Sequence, residues 1–188
     1  MNDKSGEYTL ADGSAPAIPN DLFQRFESLG VEAATVEHPP VFTVEEAKAL
    51  RGEIAGCHTK NLFLRNKKGR MWLLVCLEDR TINLRELAGR LDAGRLSFGS
   101  AERLMKHLGV IPGAVTPFAI INDKSGAVKM AIDEAILDQS PLNFHPLDNA
   151  RTTSISASDL LKFLEAEGHP AQLLDFERPW VPPDPRLS

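Results

Sequence analysis

The stretch TKNLFLRNKKGRMWLLVCL, residues 59–77, contains two apolar runs on either side of the turn sequence NKKG. Two strand-like runs joined by such a turn are typical of a β-hairpin. Side chains of a strand alternate between its two faces, so Lys60 and Leu62 share one face and Asn61 and Phe63 share the other. The hairpin therefore predicts a strand of the core with Lys60 and Asn61 at its entrance.

Helix signals lie on both sides of this hairpin. A capping residue followed by apolar residues at a spacing of three or four predicts a helix, and a glycine after the last apolar residue predicts its end. Five segments have this form: DLFQRFESLG after Asn20, TVEEAKAL from the capping box of Thr43 and Glu46, NLRELAGRL from Asn83, SAERLMKHLG from Ser100, and SASDLLKFLEAEG from Ser156 or Ser158.

Further strand signals are mixed with these helices. VEAATVEH, LSFG, PLNFHP and RTTSIS are short strand candidates, and FAIINDKSGAVKMAID, residues 118–133, is predicted as a second hairpin with its turn at NDKSG. Strands and helices do not alternate strictly, which argues against a doubly wound sheet. We predict one α/β (α+β) domain with a mixed sheet flanked by helices.

The length and the ends of the chain set the domain limits. With 188 residues the chain can bury the core of a single domain. We assign residues 1–18 to a flexible tail, 19–176 to the domain, and 177–188 to a proline-rich tail that packs across the body through Trp180. No apolar run reaches the roughly 18 residues of a membrane span, and the acidic N-terminus is unlike a signal peptide. A cytoplasmic location follows as an expectation.

Cysteine spacing and glycine patterns exclude several cofactors. Cys57 and Cys76 are the two cysteines, and without an export signal a structural disulfide is not expected. No C-x-x-C or H-E-x-x-H spacing is present, so no metal site is predicted. G-x-G-x-x-G and P-loop patterns are also absent, so we expect no nucleotide cofactor.

The charge of the chain is unevenly distributed. The formal net charge is −5, which argues against a general DNA-coating protein. Residues 54–77 nevertheless contain no acidic residue. This local excess of positive charge either keeps a hairpin soluble or contacts a polyanion at one place, and charge alone does not decide between the two. The basic residues of this stretch are Lys60, Arg65, Lys67, Lys68 and Arg70.

The loop GVIPGAVTP, residues 109–117, is unusually rich in glycine and proline for a simple connection. Pro112 and Pro117 restrict the backbone at both ends, while Gly113 leaves room for close approach to the main chain. Such a loop is suited to holding backbone amides in a fixed place.

The polar residues Lys60 and His145 also have possible structural roles that involve no chemistry. Lys60 could be a lysine extending to solvent from a strand end, and His145 in NFHP could be a structural hydrogen-bonding histidine. No Ser-His-Asp order and no G-x-S-x-G sequence supports a nucleophilic hydrolase. Cys57 and Cys76 lie in or beside apolar sequence and are expected to pack rather than react.

Four stretches occur in the order EHPPVFTVEEA (37–47), TKNLFL (59–64), GAVTP (113–117) and NFHP (143–146). Together they resemble the YbaK/ProRS-associated domain family, and within it the free-standing prolyl-tRNA editing proteins of the ProX (PrdX, ProXp-ala) type. The resemblance extends from about Asn20 to Phe176. It implies a mixed, curled β-sheet flanked by helices.

The resemblance also implies an activity, the hydrolysis of an amino acid wrongly attached to proline tRNA, with alanine as the substrate of the ProX type. The residues that match the family are Lys60, Asn61, Gly113, Pro117 and His145. We expect amides between Gly113 and Thr116, including those of Ala114 and Val115, to hold the carbonyl or the terminal ribose. Lys60 would bind the terminal phosphate or polarise the ester, and a hydroxyl of the terminal adenosine would act as the base.

Substrate selection and RNA contact follow as further expectations. Synthetase pockets that fit proline cannot strongly exclude the smaller alanine, so a second, smaller pocket would provide the selection. Its candidate walls are Val41, Phe42, Ile120 and Met130. The acceptor stem of tRNA(Pro) would contact Arg65, Lys67, Lys68, Arg70 and Arg95.

Other readings of the same residues remain open. A non-catalytic module with this fold would bind tRNA or prolyl-tRNA synthetase without cleaving an ester, and an unrelated small-molecule esterase would lack the expected nucleophile sequence. Neither the amino acid removed nor the oligomeric state follows from the sequence.

Overall fold

The computed structural model describes residues 8–40 and 54–182. The helix predicted from Thr43 and the pocket candidates Val41 and Phe42 lie outside these residues. The helices are α1 (Pro19–Leu29), α2 (Leu84–Arg90), α3 (Ala101–Leu108) and α4 (Ala157–Ala166), with 3-10 turns at Pro117–Asn122 and Glu134–Ile136. The strands are β1 (Ala33–Glu37), β2 (Thr59–Asn66), β3 (Met71–Leu77), β4 (Leu96–Phe98), β5 (Val128–Asp133), β6 (Leu142–Phe144), β7 (Arg151–Ile155) and β8 (Gln172–Leu174).

Helix ends follow the capping residues in the sequence. The side chains of Asn83, Ser100 and Ser156 each accept a hydrogen bond from a main-chain N–H in the first turn of α2, α3 and α4 respectively. These bonds satisfy donors that a helix start leaves unpaired. Gly30 ends α1 in the left-handed conformation. The predicted helices after Asn20, Asn83, Ser100 and Ser156 are thereby confirmed.

The strands form two sheets. A five-stranded sheet has the order β4-β2-β3-β5-β8, in which β4, β2 and β3 are antiparallel neighbours while β3, β5 and β8 run parallel. A three-stranded antiparallel sheet has the order β1-β7-β6. An isolated bridge between Cys57 and Leu142 links the two. The mixed α/β fold of one domain is confirmed, with its strands divided between two sheets.

The five-stranded sheet carries apolar side chains on both faces. One face, with Leu73 and Val75, packs in the larger core cluster against α1, α3 and α4. The other face, with Trp72 and Leu74, packs against α2 in a smaller cluster. Both faces of β3 are buried, which explains why this strand is almost continuously apolar in the sequence.

The second predicted hairpin, residues 118–133, is wrong. FAIIN forms part of the 3-10 helix Pro117–Asn122, and β5 pairs in parallel with β3 and β8. A short apolar run does not distinguish a buried helical turn from a buried strand. Pro117 at the first helical position and the Thr116 hydroxyl, which accepts from the Phe118 N–H, favour the helical turn. Phe118 is fully buried.

The C-terminal segment crosses α2, as expected for Trp180. A Cβ atom placed on Gly89 would lie 2.1 Å from the Trp180 ring, so the indole rests directly on this glycine. Arg90 donates hydrogen bonds to the carbonyl oxygens of Asp175 and Arg178, each at 2.7 Å. Among the described residues, no helix has the length and apolar character needed to cross a membrane.

Candidate active site

Asn61 connects strand β2 to the glycine and proline loop. Its Nδ2 donates a hydrogen bond of 2.9 Å to the carbonyl oxygen of Val115. The two residues are 54 positions apart in the chain, so tertiary structure alone creates this contact. The structure thus brings Asn61 and the loop into direct contact.

The loop contains a tight turn from Ile111 to Ala114. The Ala114 N–H donates to the Ile111 carbonyl oxygen at 3.0 Å, with Pro112 and Gly113 at the corner. Gly113 has a φ of 91°, which favours glycine. A Cβ atom on Gly113 would meet no atom within 4 Å. The backbone conformation therefore explains this glycine, since no neighbour in the structure crowds it.

The amides after this turn have no acceptor in the part of the chain that the structure describes, although Thr116 is fully buried and only Val115 is partly exposed. In residues 8–40 and 54–182, no atom accepts a hydrogen bond from the main-chain N–H of Val115 or Thr116. The Ala114 N–H, by contrast, is used within the turn. Two successive unpaired N–H groups are the kind of donor that stabilises a negatively charged oxygen. The candidate oxyanion donors are thereby reduced to Val115 and Thr116 in the stretch 114–116.

Two buried oxygen atoms on β2 also lack partners. The Thr59 Oγ1 and Asn61 Oδ1 atoms are buried, and neither makes a hydrogen bond in the described part of the protein. Both residues lie on the face of β2 that is opposite to Lys60. Native proteins pair most of their buried polar atoms, so two such atoms on one strand face indicate a place for a ligand or an ordered water.

His145 follows β6 at the edge of the three-stranded sheet. Its Nδ1 lies 2.9 Å from the carbonyl oxygen of Arg151. Because a carbonyl only accepts hydrogen bonds, Nδ1 carries the proton, and in the neutral ring Nε2 is left as an acceptor. The half-buried ring can therefore accept a proton or orient a water molecule.

His38 is a site residue that the sequence analysis did not single out. Its ring lies 6.3 Å from that of His145, measured between centroids. The Nδ1 atom lies 2.9 Å from the Pro39 carbonyl oxygen and Nε2 lies 3.0 Å from the Thr152 hydroxyl. The signal was present, because His38 opens the HPP sequence within the first of the four matching stretches.

Lys60 points to the other side of the sheet. It is in register with Cys76, and its ammonium group donates to the carbonyl oxygen of Arg80 after β3. The structure therefore brings Asn61, but not the Lys60 amine, to the glycine loop. The alternation of side chains along β2 already placed Lys60 and Asn61 on opposite faces.

Near Lys60 lies an ion-pair network that the sequence did not indicate. Arg80 Nε donates to Asp133 at 2.9 Å, and Arg80 Nη1 donates to Glu177 at 2.7 Å. Burial would lower the pKa of Arg80, but the hydrogen bonds and charges of Glu177 and Asp133 outweigh burial and raise it. Arg80 lines a cleft of about 500 Å³ that Phe176 also borders.

The predicted pocket walls on the described residues are core residues. Ile120 is 0% exposed and Met130 is 2% exposed, so neither presents open surface to a cavity in this structure. Both belong to the larger core cluster. Val115, which is half-buried and packs against the same cluster, lies closer to Asn61.

The cysteines do not have the properties of nucleophiles. Burial and the charges of Asp133 and Asp79 raise the pKa of the Cys57 thiol. Burial is also the main cause that raises the pKa of Cys76 to about 11. Since the thiolate is the reactive form, both thiols are protonated and weakly reactive at neutral pH.

The basic residues surround a hollow at the far end of the hairpin. Lys67, Lys68, Arg70 and Arg95 line a concave surface of about 370 Å³. Arg70 is held by a contact of 5.6 Å with the Trp72 ring and by a hydrogen bond to the Asp92 carbonyl oxygen. We call these four residues the basic hollow.

Arg65 lies on β2 between the basic hollow and Asn61. It pairs with Ser97 of β4 and shares the strand face of Asn61. Four residues along a strand correspond to about 13 Å. A line of positive charge thus runs from the hollow toward the loop.

Comparison with known proteins shows the family to which the chain belongs. The model of the family described as "Aminoacyl-tRNA editing domain" matches residues 38–163, more than half of the chain. The chain belongs to this aminoacyl-tRNA editing domain family. The matched range contains β2, the loop 109–117 and His145.

Relatives of this editing domain carry names connected with proline tRNA. "Prolyl-tRNA synthetase associated domain-containing protein 1" of Bos taurus is 40% identical over 162 residues, covering 84% of this chain and 94% of that protein. "Prolyl-tRNA editing protein ProX" of Acetoanaerobium sticklandii is 36% identical over 149 residues, covering 79% and 91%. The chain is thus similar to both of these proteins over most of their length.

A solved structure shares the fold. The crystal structure of a candidate trans-editing enzyme for prolyl tRNA synthetase matches with a TM-score of 0.65 at 21% identity, over 86% of this chain and 98% of the other. At this identity the likeness concerns the fold alone.

Proposed function

We propose that this editing domain hydrolyses the ester of mischarged proline tRNA, with alanyl-tRNA(Pro) as the substrate. The observation that carries the proposal is the Asn61–Val115 contact, which joins the strand motif to the loop segment where the successive N–H groups of Val115 and Thr116 have no acceptor among the described residues. The names of the prolyl-tRNA editing relatives support proline tRNA as the partner. The domain that does this work is residues 19–176.

The reaction is the attack of water on the aminoacyl carbonyl. The carbonyl oxygen becomes negatively charged, and the N–H groups of Val115 and Thr116 stabilise it. The bond to the ribose oxygen then breaks, the ribose oxygen takes a proton, and free alanine and tRNA leave. The neighbouring ribose hydroxyl of the terminal adenosine takes the proton from the attacking water and passes its own proton to the leaving ribose oxygen, so that the protons balance. His145, with Nδ1 held by a carbonyl, orients that water through Nε2.

Lys60 acts on the nucleic acid rather than on the carbonyl. Its ammonium group has three donors, of which the Arg80 carbonyl takes one. The other two are available for the terminal phosphate where the RNA end passes the edge of β2. This assignment predicts that Lys60→Arg retains more activity than Lys60→Ala, because charge and donors are kept.

The basic residues bind the acceptor stem. Arg65 lies five positions after Lys60 on β2, or about 17 Å along the strand. The basic hollow lies beyond Arg65, at a distance that the single-stranded end of a tRNA can span. Phosphate contacts there position the RNA without reading its sequence.

The test is a deacylation assay with purified protein and proline tRNA charged with alanine, cysteine or serine. We expect hydrolysis of the alanyl ester and a loss of about 100-fold in Asn61→Ala, because the loop loses its anchor and the substrate a hydrogen bond. Asn66→Ala is the matched control, since that buried amide donates to the Ala93 carbonyl at the far end of β2. Absence of hydrolysis with all three substrates contradicts the proposal.

A non-catalytic module is the second candidate, favoured by the contact of Lys60 with the Arg80 carbonyl on the face away from the loop. Such a module would bind tRNA(Pro) or its synthetase and release no amino acid. Equilibrium binding to uncharged tRNA(Pro), measured beside the deacylation assay, separates the two candidates.

A further inference from the structure

Thr59 has no role in the function proposed above, yet its environment is unusual. The residue opens β2 opposite Leu77, and its hydroxyl oxygen is buried without a hydrogen-bond partner. Asn61 Oδ1 has the same property two residues further on. An unpaired buried polar group destabilises the folded state by about 1–3 kcal/mol. This strand face has two such groups.

The orientation of the Asn61 amide determines whether this strand face presents a hydrogen-bond donor or an acceptor. The Val115 carbonyl can only accept, so the atom that faces it is Nδ2 and the Asn61 oxygen is presented elsewhere as an acceptor. The Thr59 hydroxyl can also accept. The two unpaired atoms are therefore two oxygen acceptors, and a ligand that completes them must bring hydrogen-bond donors.

The spacing suits one small donor group. Residues two apart on a strand face are about 7 Å apart at Cβ. A nitrogen about 2.9 Å from each of two oxygens bridges acceptors up to about 6 Å apart. An ammonium group has three N–H donors and can serve both oxygens at once.

We propose that Thr59 and Asn61 together bind the α-ammonium group of the aminoacyl ester, with Thr59 as a specificity-determining residue. The proposal rests on the proposed function, because it assigns a part of the same substrate. The carbonyl of the ester then faces the N–H groups of Val115 and Thr116, across the Asn61–Val115 hydrogen bond. Acyl groups without an amine leave both oxygens unpaired and are bound more weakly.

The test uses two acceptor-stem RNAs that cannot be hydrolysed, each ending in 3′-amino-3′-deoxyadenosine. One carries an amide-linked alanyl group and the other an amide-linked propionyl group, which lacks only the amine. We expect the wild-type protein to bind the alanyl RNA about 10-fold more tightly. Thr59→Val, which replaces the hydroxyl by a methyl group, should abolish this preference and leave propionyl binding unchanged, and Thr59→Ser should restore it.

Stability provides a second measurement on the same variants. Removing an unpaired buried hydroxyl costs no hydrogen bond, so Thr59→Val should be as stable as the wild type or more stable in urea. A loss of stability in Thr59→Val would reveal an intramolecular partner of the hydroxyl and overturn the proposal.

The outcomes separate this proposal from the proposed function. If the wild type hydrolyses alanyl-tRNA(Pro) but Thr59→Val keeps the alanyl preference, the ammonium assignment is wrong and the editing function stands. If the wild type prefers the alanyl RNA but releases no alanine, the ammonium site stands and the hydrolase is wrong. Equal binding of the two RNAs by the wild type overturns the ammonium site, and a water molecule then accounts for the two oxygens.

Discussion

Asn61 is the residue at which the two halves of the candidate site meet. Its amide nitrogen holds the Val115 carbonyl, its oxygen is unpaired, and its neighbour on the same face is Thr59. A single side chain thus positions a main-chain loop and presents an acceptor to the same space. The deacylation assay, rather than the group bound at this acceptor, decides between a hydrolase and a binding module.

The positive φ of Gly113 predicts an effect of substitution on both stability and activity. Gly113→Ala creates no clash but places an alanine at a φ of 91°, which costs about 1–2 kcal/mol. We expect reduced stability in urea together with a large loss of deacylation, because the strained turn moves the N–H groups of Val115 and Thr116.

The control is Gly126→Ala, at another positive φ, 67°, and with open space around the Cβ position. It should lose similar stability and keep its activity. Equal activity losses in the two variants would mean that the loop acts through stability alone.

At the level of elements, α2 and the C-terminal segment are coupled through one contact. Gly89→Ala in a helix usually gains about 1 kcal/mol of stability. Here the added methyl group would overlap the Trp180 ring at 2.1 Å, so we expect a net loss and a changed tryptophan fluorescence.

A double-mutant cycle tests this coupling. In a Trp180→Ala background the same Gly89→Ala change should become stabilising, because the overlap is gone. Urea unfolding of the four proteins gives the coupling energy. Additive effects would show that the ring does not rest on Gly89 in solution.

The run FAIIN and the strand β5 show why a hairpin was predicted where the structure has none. FAIIN and AVKMAID are both apolar enough for strands, and the turn sequence between them favours a hairpin. The first run is helical because Pro117 and Thr116 start a turn, and the second pairs with β3 instead. Local patterns predicted the existence of β5 but not its partner.

At the level of the whole molecule, Glu167 connects distant segments and predicts a pH dependence. Its side chain is 2% exposed and binds Lys124 at 2.8 Å and Arg25 of α1 at 2.5 Å. Burial by itself would raise the pKa of Glu167, but the hydrogen bonds and charges of Lys124 and Arg25 lower it overall. A lowered folded-state pKa contributes stability above the unfolded value, near 4.3, that is lost as pH falls through the folded pKa.

We therefore expect Glu167→Gln to be less stable than the wild type at pH 7 by about 1–2 kcal/mol and to approach it in acid. Urea unfolding between pH 7 and pH 3 measures the difference. Glu165→Gln, on the exposed side of α4, should change little at any pH. A constant difference for Glu167→Gln across this range would contradict the ion-pair assignment.

The charge distribution of the molecule predicts a salt dependence. The protein has a formal net charge of −5, so the proposed binding of RNA would depend on the local basic hollow. Lys67→Ala or Arg95→Ala should flatten the slope of log K against log salt by about one unit each. Lys162→Ala, at an exposed lysine of α4 on the opposite side of the five-stranded sheet, removes the same charge and should leave the slope unchanged.

The sequence by itself determined what depends on neighbouring residues. Helix starts at Asn83, Ser100 and Ser156 follow from side chains that cap nearby N–H groups, and the first hairpin follows from alternation around a glycine turn. The family resemblance, carried by four short stretches, pointed to the same region of the chain that the editing domain model matches. These signals act over a few residues and need no knowledge of distant contacts.

Only the tertiary structure decided which groups of the site meet. Asn61 finds the Val115 carbonyl across 54 residues, Lys60 finds the Arg80 carbonyl on the other face, and β5 joins β3 in parallel. These contacts depend on how two faces of a sheet are buried at once, which is a property of the whole core. The unpaired oxygens of Thr59 and Asn61 likewise become visible only when burial removes them from water.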